Sequence, residues 1–185
     1  MSRLHELRVA VIATDGVEEI ELTSPLKALR EAGARADVVC YHGGEIQGFQ
    51  HLDKAGKIKV DRTLDQVSPN DYDALLLPGG ALNADQMRAN AKVRQFIYEA
   101  DRGGLPIAAI CHAPWELISA GIVSGRTLTS WPTIQDDVRN AGGRWEDRDV
   151  VVDSNLVTSR GPRDLPAFNR EMLALFERIP AEAHR

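Results

Sequence analysis

One stretch of this 185-residue chain decides its fold: Pro106-Ile107-Ala108-Ala109-Ile110-Cys111-His112-Ala113-Pro114. Its first half is a short apolar run, the pattern of a strand that is buried on both faces. Its second half begins a helix, and Pro114 suits the first helical turn because its missing N–H group costs nothing there. The stretch therefore predicts a buried strand that turns at once into a helix, with Cys111 at the turn.

The same alternation extends along the rest of the chain. The predicted strands are Leu7–Ala13, Ala36–Tyr41, Ala74–Leu77, Pro106–Ile110 and the short Leu128–Thr129, with a hairpin arm over Gly44–Val60 and a hairpin of Val150–Val152 with Leu156–Thr158. The predicted helices are a segment through Leu22, Leu26 and Leu29 that stops at Gly33, then Met87–Ala100, Ala113–Ala120, Thr133–Ala141 and Leu165–Phe176. Strands alternating with helices predict an α/β fold, a mainly parallel sheet with helices on both faces. No linker or repeat divides the chain, so we expect a single domain over residues 1–185.

Composition and charge exclude several classes of protein. Hydrophobic residues make up 43% and charged residues 26%, which is typical of a globular protein rather than a disordered or membrane protein. The net charge is −5 and no basic block occurs, so we expect no nucleic-acid partner. The first apolar run is too short for a signal peptide or a membrane span, and two cysteines are too few for a disulfide framework. We expect a cytoplasmic protein with free thiols and no membrane contact.

Cys111 is the candidate nucleophile. Ligands of parallel sheets bind outside the carboxyl ends of the strands, and Cys111 ends one of them. The amides and dipole of the following helix would lower the pKa of the thiol and favour the thiolate. Most free cysteines are only small core residues, but the position at a strand end and the adjacent His112 favour a reactive thiol here.

Three further features accompany Cys111. His112 can act as a base only if Cys111 lies outside regular helix, and it would need an orienting carboxylate. Pro78-Gly79-Gly80 ends another strand, where glycines allow backbone amides to approach a substrate oxygen.

The third feature is an acidic cluster after the first strand, Glu18, Glu19 and Glu21. Acids at a helix start usually complement the dipole, which is our reading of Glu19 and Glu21, but one acid there could donate a proton to the sulfur. Spacing alone does not select which one.

Other site classes lack their motifs. Cys40 and His42 have no second ligand pair, so we expect no metal site. Neither a G-x-x-x-x-G-K-[ST] loop nor a G-x-G-x-x-G loop occurs, nor a G-x-S-x-G serine turn. We expect no cofactor.

These motifs together resemble the ThiJ/PfpI family, closest to its PfpI branch (protease I, general stress protein) of the class I glutamine amidotransferase-like superfamily. The resemblance rests on Ala108–Pro114, Leu76–Gly80, Val17–Leu22, Leu128–Pro132 and Val157–Phe168. It implies a flavodoxin-like three-layer sandwich.

The resemblance also implies roles for individual residues. Cys111 would be the nucleophile, Glu18 its carboxyl partner, and the Gly80 and His112 amides the oxyanion pocket. It places Gly79 and Trp131 at the substrate as well, and implies a homo-oligomer, a dimer or larger. Asp85 would orient His112 from a neighbouring subunit, although the family has Glu at that position. Ala113, where the family often has Gly, is a second departure.

The sequence therefore favours a cysteine-dependent hydrolase of stress defence. Its substrate would be a small molecule or a peptide, because the resemblance implies the activity of a protease, or of a glyoxalase or deglycase that acts on aldehyde-derived adducts. The alternative is a redox-sensing or chaperone-like stress protein whose Cys111 is oxidised rather than catalytic. A glutaminase subunit is disfavoured because no G-x-C-x-G turn is present.

Overall fold

The structure, a computed structural model, describes residues 4–178. Its strands are β1 (Arg8–Ile12), β2 (Val17–Glu18), β3 (Arg35–Cys40), β4 (Glu45–Gln50), β5 (Asp53–Lys59), β6 (Arg62–Thr63), β7 (Ala74–Leu77), β8 (Ile107–Ile110), β9 (Thr127–Leu128), β10 (Arg144–Trp145), β11 (Val151–Asp153) and β12 (Leu156–Ser159). Its helices are α1 (Glu19–Glu31), α2 (Ala81–Ala89), α3 (Ala91–Arg102), α4 (Pro114–Ser119), α5 (Gln135–Asn140) and α6 (Leu165–Phe176). None of the helices within residues 4–178 is long and apolar enough to cross a membrane.

A seven-stranded sheet forms the centre, in the order β11-β12-β8-β7-β1-β3-β6. All its neighbouring strands are parallel except β11 and β12, which form an antiparallel hairpin. Every residue of β7 and β8 is buried, as expected for strands covered on both faces. The mainly parallel α/β fold of the sequence analysis is confirmed.

Two apolar layers cover this sheet. On one face α1 and α6 pack through Leu22, Leu29, Phe168, Met172 and Phe176. On the other face α2 to α5 pack through Met87, Val93, Ile97, Leu117 and Val138. Because both layers bury whole apolar stripes, the carboxyl edge of the sheet is held between rigid helices.

The predicted hairpin arm is present as β4 and β5, which form a separate three-stranded sheet with β2. The two residues His51 and Leu52 connect its strands, and His51 has a φ of 56°. A two-residue hairpin turn requires positive φ, which explains the left-handed conformation. The hairpin tip points to the edge of the central sheet where β8 ends, because both line one cavity.

One predicted helix is corrected. Met87–Ala100 was expected to be a single helix, but the chain forms α2 and α3, separated at Asn90. Asn90 has extended backbone angles, and its side chain accepts hydrogen bonds from the amides of Lys92 and Val93. It therefore begins a new helix as an N-cap, a role for which asparagine is well suited.

Candidate active site

Cys111 lies at a sharp turn between β8 and α4. Its φ is 64°, in the left-handed region that side chains other than glycine rarely adopt. Two backbone hydrogen bonds hold it there, from its own amide to Ser159 (3.0 Å) and from the Trp131 amide to its carbonyl (2.8 Å). Such a strained residue points its side chain out of the strand direction, as at a nucleophile elbow.

The turn brings the His112 ring to the sulfur. Cys111 Sγ and His112 Nδ1 are 3.2 Å apart, which neighbouring residues of a regular helix do not achieve. Trp131 stacks on the imidazole with 5.8 Å between ring centroids, and Trp115 meets its edge. Burial lowers the pKa of His112, so the ring is neutral at pH 7 and can accept a proton.

The carboxyl group beside the sulfur belongs to Glu21, so the expectation for Glu18 is corrected. Glu21 is fully buried, and its carboxyl interacts with the Cys111 thiol and the Gly79 backbone. The physical reason is the side of α1 on which each acid lies, because Glu21 lies on the buried face of the helix with Leu22 and Pro25.

The other acids of this segment hold the hairpin instead. Glu18 accepts a hydrogen bond from the His51 amide (3.0 Å), and Glu19 accepts one from the Gly56 amide. Asp15 accepts one from the Gln47 amide (2.8 Å). The expected role of Glu19 as a dipole partner is therefore incomplete, because its carboxylate also fixes β5.

Glycines bring the backbone close to the sulfur on the other side. A Cβ atom on Gly79 would lie 2.6 Å from Cys111 Cβ, and one on Gly80 would lie 2.6 Å from the Glu18 amide nitrogen. Gly80 also has a φ of 94°, which favours glycine. The backbone amides of Gly80 and His112 hydrogen-bond to the Cys111 sulfur, so two donors converge where charge would develop.

Burial opposes the expected lowering of the thiol pKa. Burial and the nearby Glu21 raise the pKa of Cys111, while the Gly80 and His112 amides lower it. Burial and the charge of Glu18 raise the pKa of Glu21 to about 8. Cys111 and Glu21 therefore act as a coupled pair that shares protons, and they do not titrate as independent groups.

A cavity of about 360 Å³ opens onto the sulfur. The predicted residues Cys111, His112, Glu18, Gly80 and Trp131 line it, whereas Gly79 lies behind them against Glu21 and Cys111. The remaining lining residues are Gly16, Glu21, Phe49, His51, Leu52, Ala81, Leu82 and Pro162. The hairpin residues among them could not be predicted from the sequence, because the hairpin is distant from Cys111 along the chain and only tertiary packing brings it there.

Asp85 is not part of this arrangement within one chain. It lies exposed on α2, and none of the described carboxylates is hydrogen-bonded to His112. The role of Asp85 toward a neighbouring subunit stays a prediction.

Known proteins resemble the chain over nearly its whole length. The DJ-1/PfpI family model matches residues 7–175. The chain is 42% identical to Deglycase TK1284 of Thermococcus kodakarensis over 91% of its own length and 99% of that protein. It is 39% identical to Putative cysteine protease YraA of Bacillus subtilis, over 92% and 98% of the two lengths.

A solved structure shows the same architecture. Drosophila melanogaster DJ-1beta superposes with a TM-score of 0.84 at 31% identity, over 93% of this chain and 91% of that one. The site at the end of β8 is thus built on a shared framework. The chain belongs to the DJ-1/PfpI family.

Proposed function

We propose that this protein is a cysteine-dependent hydrolase of the deglycase type, which removes small aldehyde-derived adducts from amines or thiols as a stress defence. The observation that carries the proposal is the Cys111 elbow. A strained cysteine faces a cavity, with a neutral imidazole 3.2 Å from its sulfur and two backbone amides directed at it. This combination supplies a nucleophile, a base and an oxyanion pocket within one short segment.

The geometry supports a sequence of steps on an aminocarbinol adduct, R–NH–CH(OH)–CO–R′. The sulfur of Cys111 forms a bond to the carbinol carbon as the C–N bond breaks, and the nitrogen takes a proton held by His112 or Glu21. Proton transfer between the two oxygen-bearing carbons then converts the bound hemithioacetal into a thioester. Water hydrolyses the thioester, which releases a hydroxy acid and restores the thiol. The Gly80 and His112 amides stabilise the negative oxygen that forms in the last two steps.

The size and lining of the cavity favour small adducts without a negative charge over folded proteins as substrates. About 360 Å³ is at the lower end of small-molecule pockets. Phe49, Leu52, Leu82, Trp131 and Pro162 make the walls largely apolar, and the lining contains no lysine or arginine. Peptide hydrolysis, suggested by the name of the Bacillus subtilis relative, is the second activity to be measured.

The test compares the two cysteines. Adducts of methylglyoxal with N-acetylarginine and N-acetylcysteine are incubated with the protein, and release of the free amino acid is followed by chromatography. We expect Cys111→Ser to lower the rate by about 10³-fold or more, as the loss of a nucleophile does. Cys40→Ser is the matched control, because Cys40 is buried against Thr14 away from the cavity and should keep activity.

The result separates the proposal from its alternatives. Full activity of Cys111→Ser on every adduct would refute it, and turnover of peptides alone would assign a protease. If no substrate is turned over and mass spectrometry shows that mild peroxide selectively oxidises Cys111, the hypothesis of a redox sensor replaces that of an enzyme.

A further inference from the structure

The His112 ring has a hydrogen-bond partner on only one of its two nitrogen atoms. Its Nδ1 lies 3.2 Å from Cys111 Sγ, and none of the described residues is hydrogen-bonded to its Nε2. An imidazole bonded through one nitrogen can still turn about its Cβ–Cγ bond, which the third group of a nucleophile–base arrangement normally prevents. Within the described part of the chain, contacts with neighbouring rings must therefore fix the plane of this base.

Trp115 supplies such a contact from the first turn of α4. Its backbone amide donates to the His112 carbonyl (3.0 Å), so the two residues lie three positions apart on one side of the turn. Their ring centroids are 5.2 Å apart and the ring planes are inclined by 64°, an arrangement that aromatic rings favour. Trp115 does not line the cavity, so it contacts the base without belonging to the surface that would bind substrate.

Two neighbouring helices hold the Trp115 ring in turn. Its Nε1–H group donates to Asp137 Oδ2 on α5 at 3.2 Å. From α2, the Arg88 guanidinium lies over the ring, 5.2 Å from its centroid, and Arg88 Nε donates to Ser119 Oγ (3.0 Å). The indole is thus fixed by a hydrogen bond at its edge and by a cation over its face, and a fixed ring restrains the imidazole that it contacts.

We propose that Trp115 is a positioning residue that holds the His112 imidazole in the plane in which Nδ1 faces the Cys111 sulfur. Asp137 acts one step further away, because it accepts from the indole N–H group and keeps Trp115 in place. Asp137 then does through an aromatic ring what an orienting carboxylate does by direct contact. The role rests on the proposed function, in which His112 is the base. It leaves Nε2 unused, so it is compatible with Asp85 of a neighbouring subunit binding there.

The experiment changes Asp137, which is exposed and can be replaced with little effect on stability. Asp137→Ala removes the acceptor of the indole N–H group, whereas Asp137→Asn keeps an oxygen that can accept from it. Asp136→Ala is the matched control, because Asp136 is the preceding exposed acid of α5 and its side chain binds Arg139 (3.3 Å) instead. We measure kcat and KM with the methylglyoxal adduct of N-acetylcysteine, and follow the ring resonances of His112 by NMR without substrate.

We expect Asp137→Ala to lower kcat about threefold and Trp115→Leu about tenfold with KM unchanged, the size of effect that one aromatic contact supports. Asp137→Asn and Asp136→Ala should keep the wild-type kcat. Trp115→Phe has a ring but no N–H group, so it should lose at least as much as Asp137→Ala. Adding Asp137→Ala to Trp115→Phe should lower kcat no further, because both changes remove the same hydrogen bond.

Three kinetic results would each overturn the inference: a wild-type kcat in Asp137→Ala, equal losses in Asp137→Ala and Asp137→Asn, or a further loss in the double variant. The His112 resonances should shift in Asp137→Ala and stay in place in Asp136→Ala, and unchanged resonances in both would also overturn it. NMR needs no turnover. That shift in a protein that hydrolyses no adduct would refute the proposed function alone, whereas Cys111-dependent turnover with a wild-type kcat in Asp137→Ala would refute this inference alone.

Discussion

At the scale of single residues, three residues carry an unfavourable backbone conformation or a buried carboxyl group. Cys111 keeps a left-handed backbone, which costs about 1–2 kcal/mol for a residue other than glycine. Glu21 and Glu116 are fully buried carboxyl groups whose oxygens have no hydrogen-bond partner of regular geometry among the described residues. Strain and burial at Cys111 and Glu21 accompany the proposed chemistry, whereas Glu116 has no role in it.

Glu116 on α4 should therefore lower stability without aiding activity. Burial raises the pKa of Glu116 well above 4.5. As the pH rises above 4.5, the unfolded chain therefore loses the Glu116 proton while the folded protein still keeps it. The folded state is favoured by this group below about pH 4.5 and loses that advantage progressively as the pH rises. We expect Glu116→Met to raise the free energy of unfolding at pH 7 by about 1–3 kcal/mol, with little gain at pH 4.

Urea unfolding at several pH values measures this effect. Glu99→Met, on the exposed side of α3, is the control and should change stability little at any pH. A loss at pH 7 would show that Glu116 has a partner that stabilises its ionised form, and a gain that is independent of pH would show that the gain does not come from ionisation of Glu116.

At the scale of elements, the turn after β7 and the turn after β8 fit against each other. Gly79 follows β7, and a Cβ atom there would lie 2.6 Å from Cys111 Cβ and 2.8 Å from the Ile110 carbonyl oxygen. Backbone atoms of β8 cannot move without shifting the strand. The close approach of these two turns is what carries the Gly80 amide to the sulfur.

We expect Gly79→Ala to separate these turns. Overpacking of this kind lowers the free energy of unfolding by about 1–3 kcal/mol. The rate of adduct hydrolysis should fall further than stability explains, because the Gly80 amide moves away from the sulfur. Gly43→Ala is the matched control, since its nearest neighbour would be Thr63 Cγ2 at 3.9 Å. Equal activities of the two alanine variants would contradict this account of the turn.

At the scale of the whole molecule, the mouth of the cavity carries exposed apolar side chains. Leu52 at the hairpin tip is 93% exposed and Leu82 on α2 is 52% exposed, and both line the cavity. Asp85 lies exposed on the same helix as Leu82. His112 still lacks an orienting carboxylate in its own chain among the described residues. These features agree with the homo-oligomer that the family resemblance predicts, in which Asp85 of one copy would reach His112 of another.

Complementation between two inactive variants tests that prediction. We expect Asp85→Asn and Cys111→Ser each to be inactive alone. Co-expressed, they should recover up to about a quarter of the wild-type sites in a randomly paired dimer, because one protomer supplies the cysteine and the other the acid. Size-exclusion chromatography with light scattering establishes the oligomer. A monomer, or full activity of Asp85→Asn, would exclude the shared site.

The local pattern of residues was enough to predict the longer strands, most helices, the elbow at Cys111 and the family, whereas the two-residue strands β2, β6 and β10 were not predicted. Each of these depends on hydrophobic periodicity or on a short motif, which neighbours along the chain control. α6 was predicted with the bounds observed, Leu165–Phe176, because its apolar stripe is continuous. The break at Asn90 was missed, because whether an asparagine caps a helix or lies within it depends on the packing of both flanking helices.

Only the tertiary structure decided which glutamate touches the sulfur and what forms the cavity wall. Glu18, Glu19 and Glu21 lie within one turn of chain, and the position at which α1 begins determines which of them is buried. The packing of α1 on the sheet directs Glu21 to Cys111. Glu18 and Glu19 instead accept hydrogen bonds from backbone amides of the distant hairpin. The sequence determined that an acid would be near; contacts between segments far apart in the chain determined which one.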